Sequence, residues 1–184
     1  MKISLIVIKE NQIDICCIQE SEIPSDFPIN NLTFKDYHIE TEMNEKRLRV
    51  CIYIKNGVRF TRRQDLEKRN SHIIILDVIT EKTKFRLINL YRVFNTLDGT
   101  TPRQKFVDQL NCIKEAKCAN LVVTGDFNLD ESRRFMFDYS HRFLFEELQN
   151  VFEPLSDSTC KVSYVVESSE WPFKTINIRS CLHK

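Results

Sequence analysis

The stretch of residues 121–130, LVVTGDFNLD, constrains the fold more than any other part of this sequence. Residues 121–124 form a short apolar run typical of a buried strand, and the run stops at Gly125. Asp126 and Asn128 follow, and residues two apart on an extended chain point to the same side. A carboxylate and a carboxamide would then share one face at the mouth of a sheet, where open α/β folds place their chemistry. A β-turn explains the same residues, because Gly, Asp and Asn are all good turn formers, so the motif alone leaves both interpretations open.

The rest of the sequence predicts a fold that mixes strands and helices, of the α/β or α+β class. Residues 48–55 alternate apolar and polar side chains, as a half-buried strand does. Asn56-Gly57 follows directly and is a strong hairpin signal, with residues 58–62 as the returning arm. A hairpin argues against a purely parallel, doubly wound sheet. Further strands are predicted at residues 13–19, 37–42, 72–78, 85–91, 161–166 and 174–178.

A helix is predicted at residues 101–118. Thr101-Pro102 combines a good N-cap residue with a proline at the first helical position. Phe106, Leu110 and Ile113 then recur at helical spacing, which gives the helix one apolar face to pack against a sheet.

Length and composition indicate one soluble domain that spans residues 1–184. The chain is 42% hydrophobic and 29% charged, which is ordinary for such a domain. No apolar run reaches the ~18 residues that cross a bilayer, and residues 3–8 lack the flanking pattern of a signal peptide. Seven cysteines without a C-x-x-C pair disfavour a zinc site or a disulfide framework, and Cys16 and Cys17 are expected to be buried hydrophobes. We expect the protein to lie inside the cell, with the nucleus among the compartments considered, and not to be secreted. We also expect it to be a monomer that does not bind membranes.

The overall charge gives no drive toward a polyanion. Lys and Arg number 27 against 26 Asp and Glu, a formal net charge of +1. Any contact with nucleic acid must then come from local basic clusters, although a solvated face is the simpler explanation for each of them. These clusters are Arg59, Arg62 and Arg63, and Arg133 and Arg134.

Four polar motifs stand at predicted strand ends: Gln19-Glu20, Asn89-Leu90-Tyr91-Arg92, Asp126 with Asn128, and Ser156-Asp157. Within them the sequence reads DICCIQESE, INLYRVFN and VVTGDFNLD, with RVCIYIKNG in between. From about residue 13 to about residue 154, the chain resembles the endonuclease/exonuclease/phosphatase superfamily. More narrowly, it resembles the apurinic-type endonuclease domain of non-LTR retrotransposons.

The resemblance implies a four-layer sandwich, two mixed β-sheets flanked by helices, that cleaves phosphodiesters in DNA with Mg²⁺ (or Mn²⁺). Glu20 matches the family's metal ligand, which suits a hard cation that prefers carboxylate oxygens. Asp126 matches the residue that orients or deprotonates the attacking water, and Asn128 the one that holds this water and a phosphate oxygen. Tyr91 would donate a hydrogen bond to the scissile phosphate, and Arg92 would contact DNA.

Each of these roles has a simpler alternative. Glu20 could be a solvated residue at a strand edge, and Tyr91 a core aromatic whose hydroxyl reaches water. Arg92 could pair with a surface carboxylate instead of DNA.

The sequence departs from the family at its beginning. Members open with a strand that carries a metal-site asparagine, and this chain starts at or near the helix that follows. Residues 173–184, FKTINIRSCLHK, resemble that missing strand, and joined tail to head they would give a continuous strand–helix–strand. We therefore predict a circular permutation in which Asn177 becomes the second metal ligand, and domain termini that lie close together would permit it. A coincidental Asn-Ile-Arg in a strand is the alternative.

The second departure concerns the Ser-Asp-His motif near the end of family members. Ser156-Asp157 matches its start, which makes Asp157 a catalytic candidate, but Ser158 stands at the histidine position. None of His38, His72, His141 and His183 is an obvious substitute. The segment before this motif is shortened, and an alternative register puts Ser163 where a further catalytic Asp would be.

The sequence therefore predicts a Mg²⁺-dependent DNA endonuclease of retroelement type that has lost part of its catalytic set. Two alternatives stay open. One is an inactive remnant or nucleic-acid-binding module of the same fold, and the other is a different phosphoesterase of the superfamily.

Overall fold

The computed structural model describes residues 8, 13–24, 26–33, 35–43, 47–81, 83–92, 101–127, 146–147, 161–165 and 175–177, the last two ranges by their backbone alone. Two short 3₁₀ helices lie at Ile29–Asn31 and Gln64–Leu66. The longer elements are β1 (Ile15–Pro24), β2 (Tyr37–Met43), β3 (Arg47–Lys55), β4 (Arg59–Arg62), β5 (Ile73–Ile79), β6 (Lys84–Tyr91), α1 (Pro102–Glu115), β7 (Asn120–Asp126), β8 (Lys161–Val165) and β9 (Thr175–Asn177).

The nine strands form two sheets. The first has the order β2-β3-β1-β9, and all of its neighbours run antiparallel. The second has the order β4-β5-β6-β7-β8 and is mixed, because β6, β7 and β8 run parallel while β4, β5 and β6 alternate. The predicted fold class, two sheets in a sandwich with helices, is confirmed.

Apolar side chains fill the space between the two sheets and cover both outer faces. Between the sheets, Ile52 and Ile54 of β3 pack with Leu76 of β5 and Leu87 of β6, all fully buried. Each such side chain stabilises the fold by roughly 1.5–3 kcal/mol when it leaves water. Because the inner faces of both sheets are apolar, the two sheets stay in contact and their strand ends lie close together.

Helix α1 covers the outer face of the second sheet, as its apolar face predicts. Thr101 caps the helix, since its Oγ1 accepts a hydrogen bond from the Gln104 backbone N at 3.1 Å. Phe106, Leu110 and Ile113 are buried against the sheet. Ile8 and Leu32 are buried on the outer face of the first sheet in the same way.

The turn at Asn56-Gly57 does not form the predicted hairpin. Gly57 has φ +95°, which fits the turn, but β4 then pairs with β5 in the second sheet and not with β3 in the first. A turn signal shows that the chain reverses and leaves the partner strand undetermined. Here β4 becomes the edge strand of the second sheet.

The cysteines of the first sheet are buried, as expected for Cys16 and Cys17. Cys16 and Cys17 are fully buried, and Cys51 of the neighbouring strand β3 is 2% exposed. Burial raises the pKa of the Cys16 thiol to about 12, so this thiol stays protonated at neutral pH. The role of these residues is therefore packing.

Candidate functional site

Three side chains from the two sheets lie close together: Glu20 within β1, Tyr91 at the end of β6 and Asp126 at the end of β7. Tyr91 is the last residue of β6 and Asp126 the last of β7, and the two are direct partners in the parallel register. The Tyr91 hydroxyl donates a hydrogen bond to Oε1 of Glu20, on β1 of the other sheet, at 3.1 Å. The structure thus brings Glu20, Tyr91 and Asp126 together, although their positions in the sequence are far apart.

Glu20 lies in a bulge of β1. The register between β1 and β3 shifts between Gln19 and Ile23, and Glu20 has φ +53°, a left-handed conformation that a residue with a side chain rarely adopts. Bulges of this kind turn a side chain out of the regular alternation and are common next to active sites. The Glu20 side chain is exposed at the site.

A buried polar pair fixes the strand just before Glu20. Gln19 Nε2 donates to Oδ1 of Asn89 in the opposite sheet, at 2.5 Å. Asn89 Nδ2 in turn donates to the backbone oxygens of Ile18 at 3.4 Å and Cys51 at 3.2 Å. Since Asn89 is fully buried, these bonds tie the two sheets together directly beneath the site. The sequence signal for this role was a polar residue in the middle of an apolar strand.

The backbone of Tyr91 is held on both sides. Its N–H donates to the carbonyl of His72 at 3.0 Å, and its carbonyl accepts from Gln109 Nε2 at 3.0 Å. Gln109 lies on α1 and also donates to the carbonyl of Ser71 at 2.6 Å. Helix α1 therefore fixes the strand end that carries the tyrosine.

Asp126 is 7% exposed, and Gly125 before it allows β7 to approach β6 closely. A Cβ at Gly125 would fall onto the carbonyl oxygen of Leu90 and within 2.9 Å of its Cγ. The glycine of the GDFN motif is thus required by the packing of two strands. That packing sets where Asp126 stands.

Arg92 does not occupy the surface position expected for a DNA contact. It is 7% exposed, its Nη1 donates to the Phe127 carbonyl at 3.2 Å, and its guanidinium lies 5.5 Å from the centre of the Phe106 ring. Burial lowers the pKa of Arg92, and the nearby Asp126 acts in the opposite direction. The backbone N–H of Arg92 donates to the Asp126 carbonyl at 2.8 Å, so Arg92 supports the strand end from below.

His72, which the sequence left in an unrelated context, lies next to the site. Its Nδ1 is 3.1 Å from Oε2 of Glu42, and both side chains are at least nine-tenths buried. The pair joins β2 of the first sheet to the start of β5 in the second. Its residues are 30 apart in the chain, and no local pattern indicated that they meet.

The tail strand β9 lies beside β1, but in a register that separates Asn177 from Glu20. Asn177 is the partner of Cys16, and the two strands run antiparallel. Glu20 is four residues further along β1, roughly 13 Å at 3.3 Å per residue. A strand–helix–strand unit commonly places its two strands parallel, and the backbone of β9 runs antiparallel to β1 here. The permutation and the role of Asn177 as a metal ligand stay predictions.

Two arginines of the basic cluster at residues 59–63 form ion pairs within the protein, and the third, Arg59, is exposed. Arg62 pairs with Glu40 at 3.0 Å and Glu67 at 2.9 Å, and Arg63 pairs with Asp65 at 2.7 Å and Asp77 at 3.1 Å. Asn128, Asp157, Ser158, Arg133 and Arg134 lie outside the described residues, and Ser163 is placed only by its backbone, opposite Val122.

The donor atoms at the site suit a hard cation. Glu20 and Asp126 offer carboxylate oxygens, and Mg²⁺ is commonly held by one or two carboxylates while it keeps several waters. Among the residues that the structure describes, no group of three or more His, Cys, Asp or Glu could hold an ion. A closed zinc-type site is thus not formed there, whereas an open site of oxygen donors fits Mg²⁺.

A family model for the endonuclease/exonuclease/phosphatase family matches residues 6–179. The fold is also similar to the endonuclease domain of TRAS1, a telomere-specific non-LTR retrotransposon, with 14% identity, a TM-score of 0.60, and 80% of this chain and 62% of that chain covered. The 3′ phosphatase NExo from Neisseria, bound to a product DNA hairpin, shows 18% identity, a TM-score of 0.57, and coverage of 82% and 65%. An AP endonuclease from Archaeoglobus fulgidus shows 17% identity and a TM-score of 0.55, with 83% of this chain and 65% of that chain covered.

The chain thus spans somewhat less than two thirds of the length of these structures. No curated protein matches it. Of the described helices, none has the length and apolar character needed to cross a membrane.

Proposed function

The chain belongs to the endonuclease/exonuclease/phosphatase family, and on that premise we propose that it is a metal-dependent phosphodiesterase that cuts DNA, an endonuclease of retroelement type. The observation that carries the proposal is the hydrogen bond between the two sheets from Tyr91, at the end of β6, to Glu20, in the bulge of β1, with Asp126 as the neighbour of Tyr91 on β7. The similar retrotransposon endonuclease domain, and the similar phosphatase bound to a DNA hairpin, support DNA as the substrate.

Glu20 would hold the metal ion, Mg²⁺ or Mn²⁺. When bound, the ion supplies positive charge that stabilises the charge developing on the phosphate. The exposed carboxylate of Glu20 suits this role, since its bulge turns it toward solvent at the strand ends.

The remaining chemistry falls to side chains of the same strand ends. Asp126 accepts the proton of the attacking water, and Asn128, two residues further on, orients that water. The water oxygen forms a bond to phosphorus, the opposite ester P–O bond breaks, and the leaving oxygen takes a proton from solvent. Tyr91 has a single O–H, so it would turn from Glu20, whose carboxylate then holds the ion, and donate a hydrogen bond to a phosphate oxygen as the charge on that oxygen grows. Asp157 is the further catalytic residue that the family motif suggests.

A second candidate function is a nucleic-acid-binding module without turnover. The observation that favours it is Ser158, which stands where the family has a histidine. Loss of an imidazole that pairs with developing charge commonly costs about 10² or more in rate.

Nicking of supercoiled plasmid with Mg²⁺ or EDTA tests the proposal. The variants are Glu20→Gln and Asp126→Asn, and the matched control is Glu81→Gln, an exposed carboxylate in the turn between β5 and β6. We expect Mg²⁺-dependent nicking that falls about 10²-fold or more in both site variants, because each removes a group that acts on the reacting atoms. The control should nick as the wild type does.

Wild type that binds the plasmid but does not nick it would favour the binding module. Nicking that is unchanged in Glu20→Gln would remove Glu20 from the mechanism and contradict the proposal.

A further inference from the structure

Arg49 of β3 lies directly opposite the bulge that carries Glu20. Val50 is the partner of Gln19 and Leu48 is the partner of Ile23, so Arg49 faces the bulged segment between them. The side chain is half-buried. The antiparallel pairing of β1 with β3 therefore brings a positive charge to the same edge of the sheet as the proposed metal ligand.

The guanidinium of Arg49 lies over the ring of Tyr91. Its central carbon is 5.7 Å from the ring centre, within the range of a cation–π contact. The hydroxyl of the same ring donates to Glu20. Arg49 and Glu20 thus both contact Tyr91, Arg49 at the face of the ring and Glu20 at the hydroxyl.

Arginine is well suited to bind a phosphate at such a place. Its planar guanidinium presents five N–H donors, matches phosphate oxygens two at a time, and keeps its charge while it lies on an aromatic ring. Arg62, Arg63 and Arg86 pair with carboxylates, and Arg92 donates to the Phe127 carbonyl.

We propose that Arg49 binds the phosphodiester backbone of the nucleic acid at the Glu20–Tyr91 centre. The inference rests on the proposed function for the identity of the ligand, but it concerns binding and not turnover. Glu20 and Asp126 are both anionic and repel a phosphate, so a fixed cation at their edge offsets that repulsion.

Anisotropy of a fluorescent DNA duplex, titrated with the full chain in EDTA across a series of salt concentrations, tests the proposal without any cleavage. The variants are Arg49→Gln and Arg49→Lys, and the matched control is Arg59→Gln, an exposed arginine on β4. We expect Arg49→Gln to bind about tenfold more weakly, and the slope of log K against log salt to fall by about 1 in magnitude. Arg49→Lys should keep the wild-type slope and recover part of the affinity, because it keeps the charge without the planar donors. Arg59→Gln should match the wild type.

The salt slope separates binding from a merely structural role. If Arg49 only packs on Tyr91, Arg49→Gln lowers the melting temperature and leaves the slope unchanged, and that result would overturn the inference. If Arg49→Gln fails to fold, the salt slope of Arg49→Lys is the test. A folded Arg49→Lys variant with a reduced slope would also overturn the inference, because lysine keeps the positive charge.

The plasmid assay keeps the two claims apart. Nicking that depends on Mg²⁺ while Arg49→Gln binds as the wild type would leave the proposed function standing and remove Arg49. Binding that depends on Arg49 without any nicking would leave the role of Arg49 standing and remove the proposed nuclease function.

Discussion

At the scale of single residues, Gly125 sets the position of Asp126. The structure describes two glycines, Gly57 with φ +95° and Gly125 with φ +159°. Gly57 is surrounded by open space, whereas a Cβ at Gly125 meets the backbone of Leu90. An alanine at Gly57 would therefore be opposed by the turn conformation alone, whereas an alanine at Gly125 would also collide with Leu90.

Replacement of Gly125 by Ala should destabilise the fold more than replacement of Gly57 by Ala. We expect a loss of about 3 kcal/mol for Gly125→Ala, because β6 and β7 must move apart to admit the methyl group. For Gly57→Ala we expect about 1 kcal/mol, because only the left-handed conformation opposes it. Urea unfolding measures both free energies, and equal losses would show that β7 does not approach β6 as closely as described.

At the scale of elements, an arginine–aspartate cluster holds β5, β6 and α1 in one arrangement. Asp77 of β5 accepts from Arg86 Nε of β6 at 2.7 Å and from Arg63 Nη1 at 3.1 Å. Arg86 Nη1 also donates to the Ala116 carbonyl, at the end of α1, at 3.0 Å. The cluster thus fixes the helix whose Gln109 holds Tyr91.

The pKa of Asp77 is lowered by its hydrogen bond to Arg86, more than burial raises it. A carboxyl whose pKa is lower in the folded state stabilises the fold above its unfolded-state value of about 3.9, and this contribution is lost as the pH falls through the folded pKa. The difference in unfolding free energy between wild type and Asp77→Asn should therefore shrink from pH 6 to pH 3. Urea unfolding at both values measures it, with the exposed Asp26→Asn as control. A difference that stays constant or grows toward acid would contradict the assigned ion pairs.

At the scale of the whole molecule, local patterns predicted the elements and the polar motifs, but not every strand pairing. The apolar runs of β5, β6 and β7 and the Thr101 cap each act over a few residues, so the sequence shows them directly. Pairings were harder. The turn at Gly57 does not reveal that β4 joins the other sheet, and the NIRS-like tail does not reveal that β9 runs antiparallel to β1.

Contacts between the sheets were the least predictable part of the site. Tyr91 and Glu20 are 71 residues apart, and the resemblance to a family was needed to group them. Arg49 opens the quoted stretch RVCIYIKNG but had no role assigned to it, and the Glu42–His72 pair lies outside the quoted motifs; both contacts become visible only when the two sheets are placed together. The chemistry at strand ends was predictable, whereas the side chains that support it across the sandwich were not.

The central claim is that Glu20 holds a metal ion beside Tyr91 and Asp126. Crystals soaked in Mn²⁺ test it most directly through an anomalous-difference map collected on wild type and Glu20→Gln. The account predicts one peak about 2.0–2.3 Å from the Glu20 carboxylate, typical of a hard cation on oxygen, and no peak there in the variant. A wild-type map without density at Glu20, or with a peak that persists in Glu20→Gln, would contradict it.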